Sequence, residues 1–205
     1  RKRVRNHLQS VHHRHLLENL AKIDSLTEIA NRRRYDEALE SEWRRCARNN
    51  SPLSMIIIDV DHFKAYNDRL GHAAGDMILR TIAIALKGFM RRPGDLAARY
   101  GGEEFVLLLP QVDAQAASHI AGDIRATVEQ MQLAHPASPV SPYVTISLGG
   151  TLVTSADQSI DDVIKRADEA LYLAKNQGRN RVVLLIDEPD EKPEKGSAQA
   201  EAPSA

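Results

Sequence analysis

A single cysteine, Cys46, stands among the 205 residues. It can build neither an intrachain disulfide nor a multi-cysteine zinc site. No signal-peptide pattern opens the sequence, and the two absences together point to a reducing cytosol. No apolar run approaches the roughly 20 residues that span a bilayer. An excess of charge is missing as well: 27 Lys and Arg stand against 28 Asp and Glu, a formal net charge of −1. Bulk nucleic-acid binders are strongly basic, so that class is excluded. Any anionic ligand must then be met by a local cluster of cations. There is no internal repeat. The first residue is Arg1, not Met, so the chain is expected to be a fragment of a longer protein.

What is present divides into three zones. Residues 1–22 contain neither Gly nor Pro and carry Val4, Leu8, Val11, Leu16, Leu17 and Leu20 at roughly helical spacing. They read as one linker helix. The cluster Arg1, Lys2, Arg3 and Arg5 is that helix's solvated end, and His12, His13 and His15 lack a ligand pattern and read as solvated. Residues 187–205 are rich in Pro, Glu, Lys, Ser and Ala and have no large apolar side chain after Ile186. Such a stretch cannot bury enough surface to offset the entropy of ordering, and it reads as a disordered tail.

Residues 23–186 read as the folded domain, and a hydrophobic content of 42% suffices for its core. Asn31 to Asn49 is expected to be helical. Leu53 to Val60 (LSMIIIDV) is an apolar run ending in acid, the mark of a buried strand. Gly75 to Met90 has helical apolar spacing. Leu96 to Tyr100 and Glu103 to Leu109 flank Gly101-Gly102, a hairpin signal, because glycine reaches positive φ without steric cost. Ala114 to Met131 reads as helix. Tyr143 to Val153 reads as a strand interrupted by Gly149-Gly150. Ile160 to Asn176 reads as an amphipathic helix and Arg181 to Ile186 as a last strand. The order α-β-α-β-β-α-β-α-β implies a mixed sheet covered by helices.

Carboxylates gather at two places. Asp59 and Asp61 flank Val60 at the end of the first strand, where alternation puts both on one face. Alone, an acid-x-acid at this position is usually a solvated strand end. If the hairpin pairs beside that strand, Glu103 and Glu104 arrive next to Asp59. Clustered carboxylates repel one another, and a hard divalent cation such as magnesium relieves the conflict. Two-metal sites of this kind stabilise the attacking and leaving oxygens in phosphoryl transfer.

Arg99 to Phe105 (RYGGEEF) closely resembles the signature of the GGDEF-domain diguanylate cyclases. Three further segments agree in order and spacing: Asp24 to Thr27 (DSLT) with Asn31-Arg32-Arg33; Asp59 to Asp68 (DVDHFKAYND) with Gly71-His72 and Gly75-Asp76; and Ala167-Asp168 through Ala170-Leu171-Tyr172, Ala174-Lys175 and Gly178-Arg179-Asn180. The resemblance covers roughly Asp24 to Ile186. It implies an α/β fold with a mixed central sheet flanked by helices, palm-like as in nucleotidyl cyclases. It also implies the condensation of two GTP molecules into cyclic di-GMP across a homodimer, with two Mg2+ per site, or Mn2+ in their place. The expected location is the cytoplasm, with an upstream sensory or membrane region of the same chain holding the whole protein at the inner membrane.

The resemblance also implies roles. Asp59, the Val60 carbonyl and Glu103 should ligate metal, and Glu104 should add a contact or take part in proton transfer. Asn67 and Asp76 should bind the guanine edge, whose N1–H and amine are donors. Phe63 and Lys64 should cradle the terminal phosphates, and Gly101 and Gly102 should let the nucleotide approach the backbone. Lys175 and Arg179, at i and i+4, should share a helix face if the helix persists, and supply the local cations. Arg92-Pro93-Gly94-Asp95 matches an Arg-x-x-Asp product-inhibition motif, although Pro-Gly-Asp is strong turn chemistry by itself. A second inhibitory arginine is replaced by Asp123, with Arg125 nearby. Glu28 stands where the family usually has glycine and is expected to alter a local turn. Two other readings survive the sequence: a catalytically silent GTP or cyclic di-GMP receptor, and a purely structural dimerisation element.

Overall fold

The structure, a computed structural model, describes residues 22–153 and 159–186. The expected linker helix (except Lys22), its histidines and the expected tail lie outside the described residues.

The strands are β1 (Ala30–Asn31), β2 (Leu53–Val60), β3 (Leu96–Gly101), β4 (Glu104–Pro110), β5 (Ile146–Val153) and β6 (Val182–Leu185). The helices are α1 (Arg32–Asn49), α2 (Phe63–Leu70), α3 (His72–Phe89), α4 (Ala114–Gln130) and α5 (Ile160–Asn176). The strands form one mixed sheet in the order β1-β3-β4-β2-β5-β6. β2 lies at its centre, antiparallel to β4 and β5, while β1 and β6 run parallel to their neighbours. All eight residues of β2 are buried, which is why it is apolar apart from Ser54 and Asp59.

Alternation along the strands sorts the core into two layers. Ile56, Ile58, Phe105, Leu107 and Leu148 pack with Phe63, Ile78, Ile82, Leu86 and Ile124 under α2, α3 and α4. Met55, Ile57, Val106 and Leu108 pack with Tyr35, Leu39, Val163 and Leu171 under α1 and α5. Truncating one such fully buried aliphatic side chain to alanine costs about 2–5 kcal/mol.

Helix starts follow local chemistry. The side chains of Asn31, Asp113 and Ser159 accept from the amides of Arg34, Ala116 and Asp162, capping α1, α4 and α5.

The structure corrects the expected elements in several places. Asn31 belongs to β1 and caps α1. α2 is a separate helix ahead of α3, and α3 begins at His72, not Gly75. The hairpin turn takes in Glu103, because β4 begins at Glu104. Gly149 and Gly150 do not interrupt β5; they stay in register with Ile57 and Ile56. Their bareness serves packing instead. A Cβ on Gly149 would lie 2.0 Å from the Leu171 backbone nitrogen, so α5 rests directly on the strand. Glu28 sits at φ 58, a left-handed conformation that explains why glycine suits this turn. No helix among the described residues is long and apolar enough to cross a membrane.

Candidate active site

The site is assembled at one end of the sheet. Antiparallel pairing sets Asp59 of β2 opposite Glu104 of β4. Glu103, in the hairpin turn, is also close enough to raise the Asp59 pKa. The Asp59 carboxyl is pushed up to about 6, first by burial and then by Glu103 and Glu104; the Lys175 ammonium opposes the shift. Lys175 Nζ lies 2.8 Å from Asp59 Oδ2.

The donor set is made of hard oxygens, and burial and repulsion both disfavour the Asp59 anion. These residues fit a divalent cation. They do not form a finished cage: no three His, Cys, Asp or Glu side chains among the described residues are gathered to hold an ion. The expected meeting of carboxylates is therefore met in strand register but not in side-chain convergence.

Asp61 departs from the expected acidic pair. Its carboxylate accepts from Thr145 Oγ1 at 2.8 Å, Ser147 Oγ at 2.6 Å and the Asn180 amide at 3.0 Å. A group with its acceptors so committed is no open ligand. Spacing along β2 could not show this, because the donors are 84 to 119 residues away.

Beside the carboxylates lies a cavity of about 490 Å³. Phe63, Lys64, Asn67, Asp76, Gly102 and Glu103 all line it. Asn67 Oδ1 is buried without a hydrogen-bond partner. Such an orphan acceptor costs about 1–3 kcal/mol unless a ligand satisfies it. Gly75 makes room for it, since a Cβ there would lie 1.9 Å from Asn67 Oδ1. The amides at the start of α2 are available to an anion. His62, which precedes them, is held at φ 55. Burial, and then the Arg179 charge, lower its pKa.

Lys175 and Arg179 do not share a helix face. α5 ends at Asn176, Gly178 turns to φ 117, and Arg179 lies outside the helix at φ 63. Both remain at this end of the sheet, Lys175 through Asp59 and Arg179 through its effect on His62.

Sequence reasoning missed one clamp. Arg99 donates from Nε and Nη2 to the Gly102 carbonyl at 3.0 and 2.8 Å, and from Nη1 to Asp24 Oδ1 at 3.2 Å. Asp24 also accepts from the Thr27 amide and hydroxyl. Burial pushes the Asp24 carboxyl up, but the Thr27 bonds and the Arg99 charge outweigh it and hold the pKa low. The signal was present, since both residues lie in segments already singled out; their contact spans 75 positions.

Arg92 and Asp95 lie at the other end of β3. Asp95 Oδ2 accepts from the amides of Arg91 and Arg92 at 3.2 and 2.9 Å, closing a turn around Gly94 at φ 98. Arg125 is bound to Glu129 Oε2 at 2.7 Å and to Asn180 Oδ1 at 2.9 Å, so it does not stand in for the arginine absent at Asp123.

Residues 21–181 match the family described as "Diguanylate cyclase, GGDEF domain". The chain is 39% identical over 167 residues to diguanylate cyclase DgcM of Escherichia coli, covering 82% of this chain and 39% of that protein. It is 40% identical over 171 residues to the response regulator PleD of Caulobacter vibrioides, covering 82% and 37%. Among solved structures it resembles the coiled coil and GGDEF domain of DgcB from Caulobacter crescentus, in complex with c-di-GMP. There the TM-score is 0.74 and the identity 31%, over 90% of this chain and 93% of that one. It also resembles the active GGEEF domain of a diguanylate cyclase from Vibrio cholerae, with TM-score 0.66 and 33% identity, over 76% and 97%. The chain spans under two-fifths of the length of DgcM and PleD.

Proposed function

The chain belongs to the GGDEF-domain diguanylate cyclase family, and on that premise we propose that residues 23–186 form a cytoplasmic catalytic domain that condenses two GTP molecules into cyclic di-GMP. The observation that carries the reading is the cavity holding Asn67 and Asp76 beside Asp59 and Glu103. A buried orphan acceptor and an unpaired carboxylate in one pocket suit the adjacent N1–H and amine of guanine. Adenine does not present that pair of donors, so the same groups reject ATP.

The nucleotide is oriented in steps. Asn67 and Asp76 hold the base, and Gly101 and Gly102 leave the backbone open to its ribose and phosphates. The Phe63 and Lys64 amides, with the Lys64 ammonium, receive the terminal phosphates. Lys175 exchanges Asp59 for phosphate, and Arg179 adds a second cation. Asp59, the Val60 carbonyl and Glu103 would hold two divalent cations, Mg2+ or Mn2+, with Glu104 alongside. Bound there, the cations would supply charge neutralisation at the α-phosphate and lower the pKa of the 3′-hydroxyl.

Each 3′-hydroxyl oxygen forms a bond to the other nucleotide's α-phosphorus. The bond from that phosphorus to the bridging oxygen breaks, pyrophosphate leaves, and the hydroxyl proton is lost, with Glu104 placed to assist. Because the product contains two such linkages, two copies of the domain bring their cavities face to face. The active form is a homodimer, and catalysis is mainly positioning. Cyclic di-GMP is also proposed to bind at Arg92 and Asp95 as a product inhibitor. The test is incubation with GTP and Mg2+, and separately with ATP, followed by chromatography. Cyclic di-GMP from GTP alone is expected; no product, or equal turnover of ATP, overturns the assignment.

A further inference from the structure

The proposed function leaves Asp61 without a role, although it directly follows the metal-binding strand end. Its residue is 1% exposed, and no Lys or Arg is among its hydrogen-bond partners. Its own amide donates to the Thr145 carbonyl at 3.0 Å. Burying a carboxylate among neutral donors is costly, and an ionised acceptor grips an N–H more firmly than a neutral one.

What Asp61 grips is the loop after α5. Three residues in a row there are left-handed: Gly178 at φ 117, Arg179 at φ 63 and Asn180 at φ 48. Two of them are not glycine, a conformation that persists only where the surroundings over-determine it. The restraint is visible at Asn180. Its amide goes to Asp61, Oδ1 accepts from Arg125, and Nδ2 donates to Glu129 Oε1 at 2.7 Å. Arg179 is carried between this anchor and the end of α5, where its amide donates to the Ala174 carbonyl at 3.0 Å.

We infer that Asp61 is a positioning residue for Arg179: its buried carboxylate, aimed by Thr145 and Ser147, fixes the Asn180 amide and so sets where the Arg179 guanidinium meets the nucleotide phosphates. This rests on the proposed role of Arg179 in binding triphosphate. It separates the Asp-x-Asp pair into one residue facing the cation and one supporting the phosphate side of the same site.

The test measures the affinity for 3′-deoxy-GTP with Mg2+, a nucleotide lacking the reacting hydroxyl, so that binding is read without turnover. Asp61→Ala should weaken binding roughly ten-fold, the scale of a lost charge-assisted contact. Asp61→Asn should lose clearly less than Asp61→Ala, because it keeps the bond to the Asn180 amide without the charge. Its amide oxygen can accept from Thr145 and Asn180, while its NH2 donates to the Ser147 hydroxyl, which can also accept. In an Arg179→Ala background, Asp61→Ala should have no further effect, the signature of two residues acting as one unit.

If Asp61→Ala does not fold, Ser147→Ala replaces it; the charge stays but one of its two guides is gone, and a smaller weakening is expected. Equal losses for Asn and Ala overturn the inference and make Asp61 a charge-dependent ligand. So does an Ala effect that is the same with and without Arg179. A parent that makes cyclic di-GMP, with Asp61→Ala binding unchanged, sinks this inference alone. A parent that neither binds 3′-deoxy-GTP nor makes cyclic di-GMP sinks the proposed function, and this inference with it.

Discussion

The two ends of β3 carry acidic motifs of similar prominence in the sequence, yet they differ in how far their carboxylates are engaged. At the start, Asp95 is turned back on its own chain: Oδ2 serves the amides of Arg91 and Arg92, while Oδ1 is buried without a hydrogen-bond partner among the described residues. At the far end, Glu103 forms no hydrogen bond or ion pair with any described residue, and it faces a cavity shared with the orphaned Asn67 Oδ1. A carboxylate with one oxygen closing its own turn has a structural reason to exist, even with its other oxygen unmet. One left open beside other acids has none until a ligand arrives. The first end is therefore the weaker site and the second the stronger, and variants at each can break that ordering.

The largest effect is expected at the open end. Glu103→Gln or Asp59→Asn should reduce cyclic di-GMP synthesis by roughly 100-fold or more, the scale of losing one preorganised charge, while circular dichroism stays unchanged. Near-parental turnover at saturating Mg2+ would remove that residue from the site. Asp76→Ala should follow, weakening GTP binding by roughly 1–3 kcal/mol through a lost acceptor for the guanine donors; calorimetry with 3′-deoxy-GTP reads it directly.

Acid titration sharpens the comparison further. Asp59 titrates near 6 when folded against an ordinary value of 3.8. The folded state thus holds this proton more tightly, so the stabilisation it gives is complete below about pH 4 and disappears as pH rises through 6. About 3 kcal/mol is involved. Without divalent cation, the parent should lose melting temperature over that window, and Asp59→Asn should lose less. Identical profiles would mean that Asp59 is not the strained group. The smallest effect belongs to the closed end: Arg92→Ala should leave the initial rate untouched and relieve inhibition by added cyclic di-GMP. Inhibition should be weak in the parent already, given Asp123 and the bound Arg125. Equal inhibition of the two proteins reduces Arg92 and Asp95 to a turn.

Much of this was legible because it is local. The largely apolar run at 53–60 and the Gly-Gly turn act within a few residues, and they fix the central strand and the hairpin. The element order implied the mixed sheet, and the resemblance added the roles of the motifs. What stayed hidden depends on distant partners. Nothing near Asp61 announces Thr145, Ser147 and Asn180, and nothing near Lys175 announces Asp59. β1 is too short for periodicity to reveal, and the parallel pairing of β1 and β6 is decided by the sheet. The i, i+4 spacing of Lys175 and Arg179 gives no shared face, because α5 stops at Asn176 and Gly178 turns to φ 117.

Gly149 gives this site a hidden genetic vulnerability. The nearest backbone of α5, at Leu171, is 2.0 Å from where any side chain would begin, and Lys175 is one helical turn beyond Leu171. A screen recovering Gly149→Ala or Gly149→Val would find a null phenotype with every signature residue intact. The lesion would map to the middle of a strand, and its cause would be a helix prised from its seat, taking Lys175 away from Asp59.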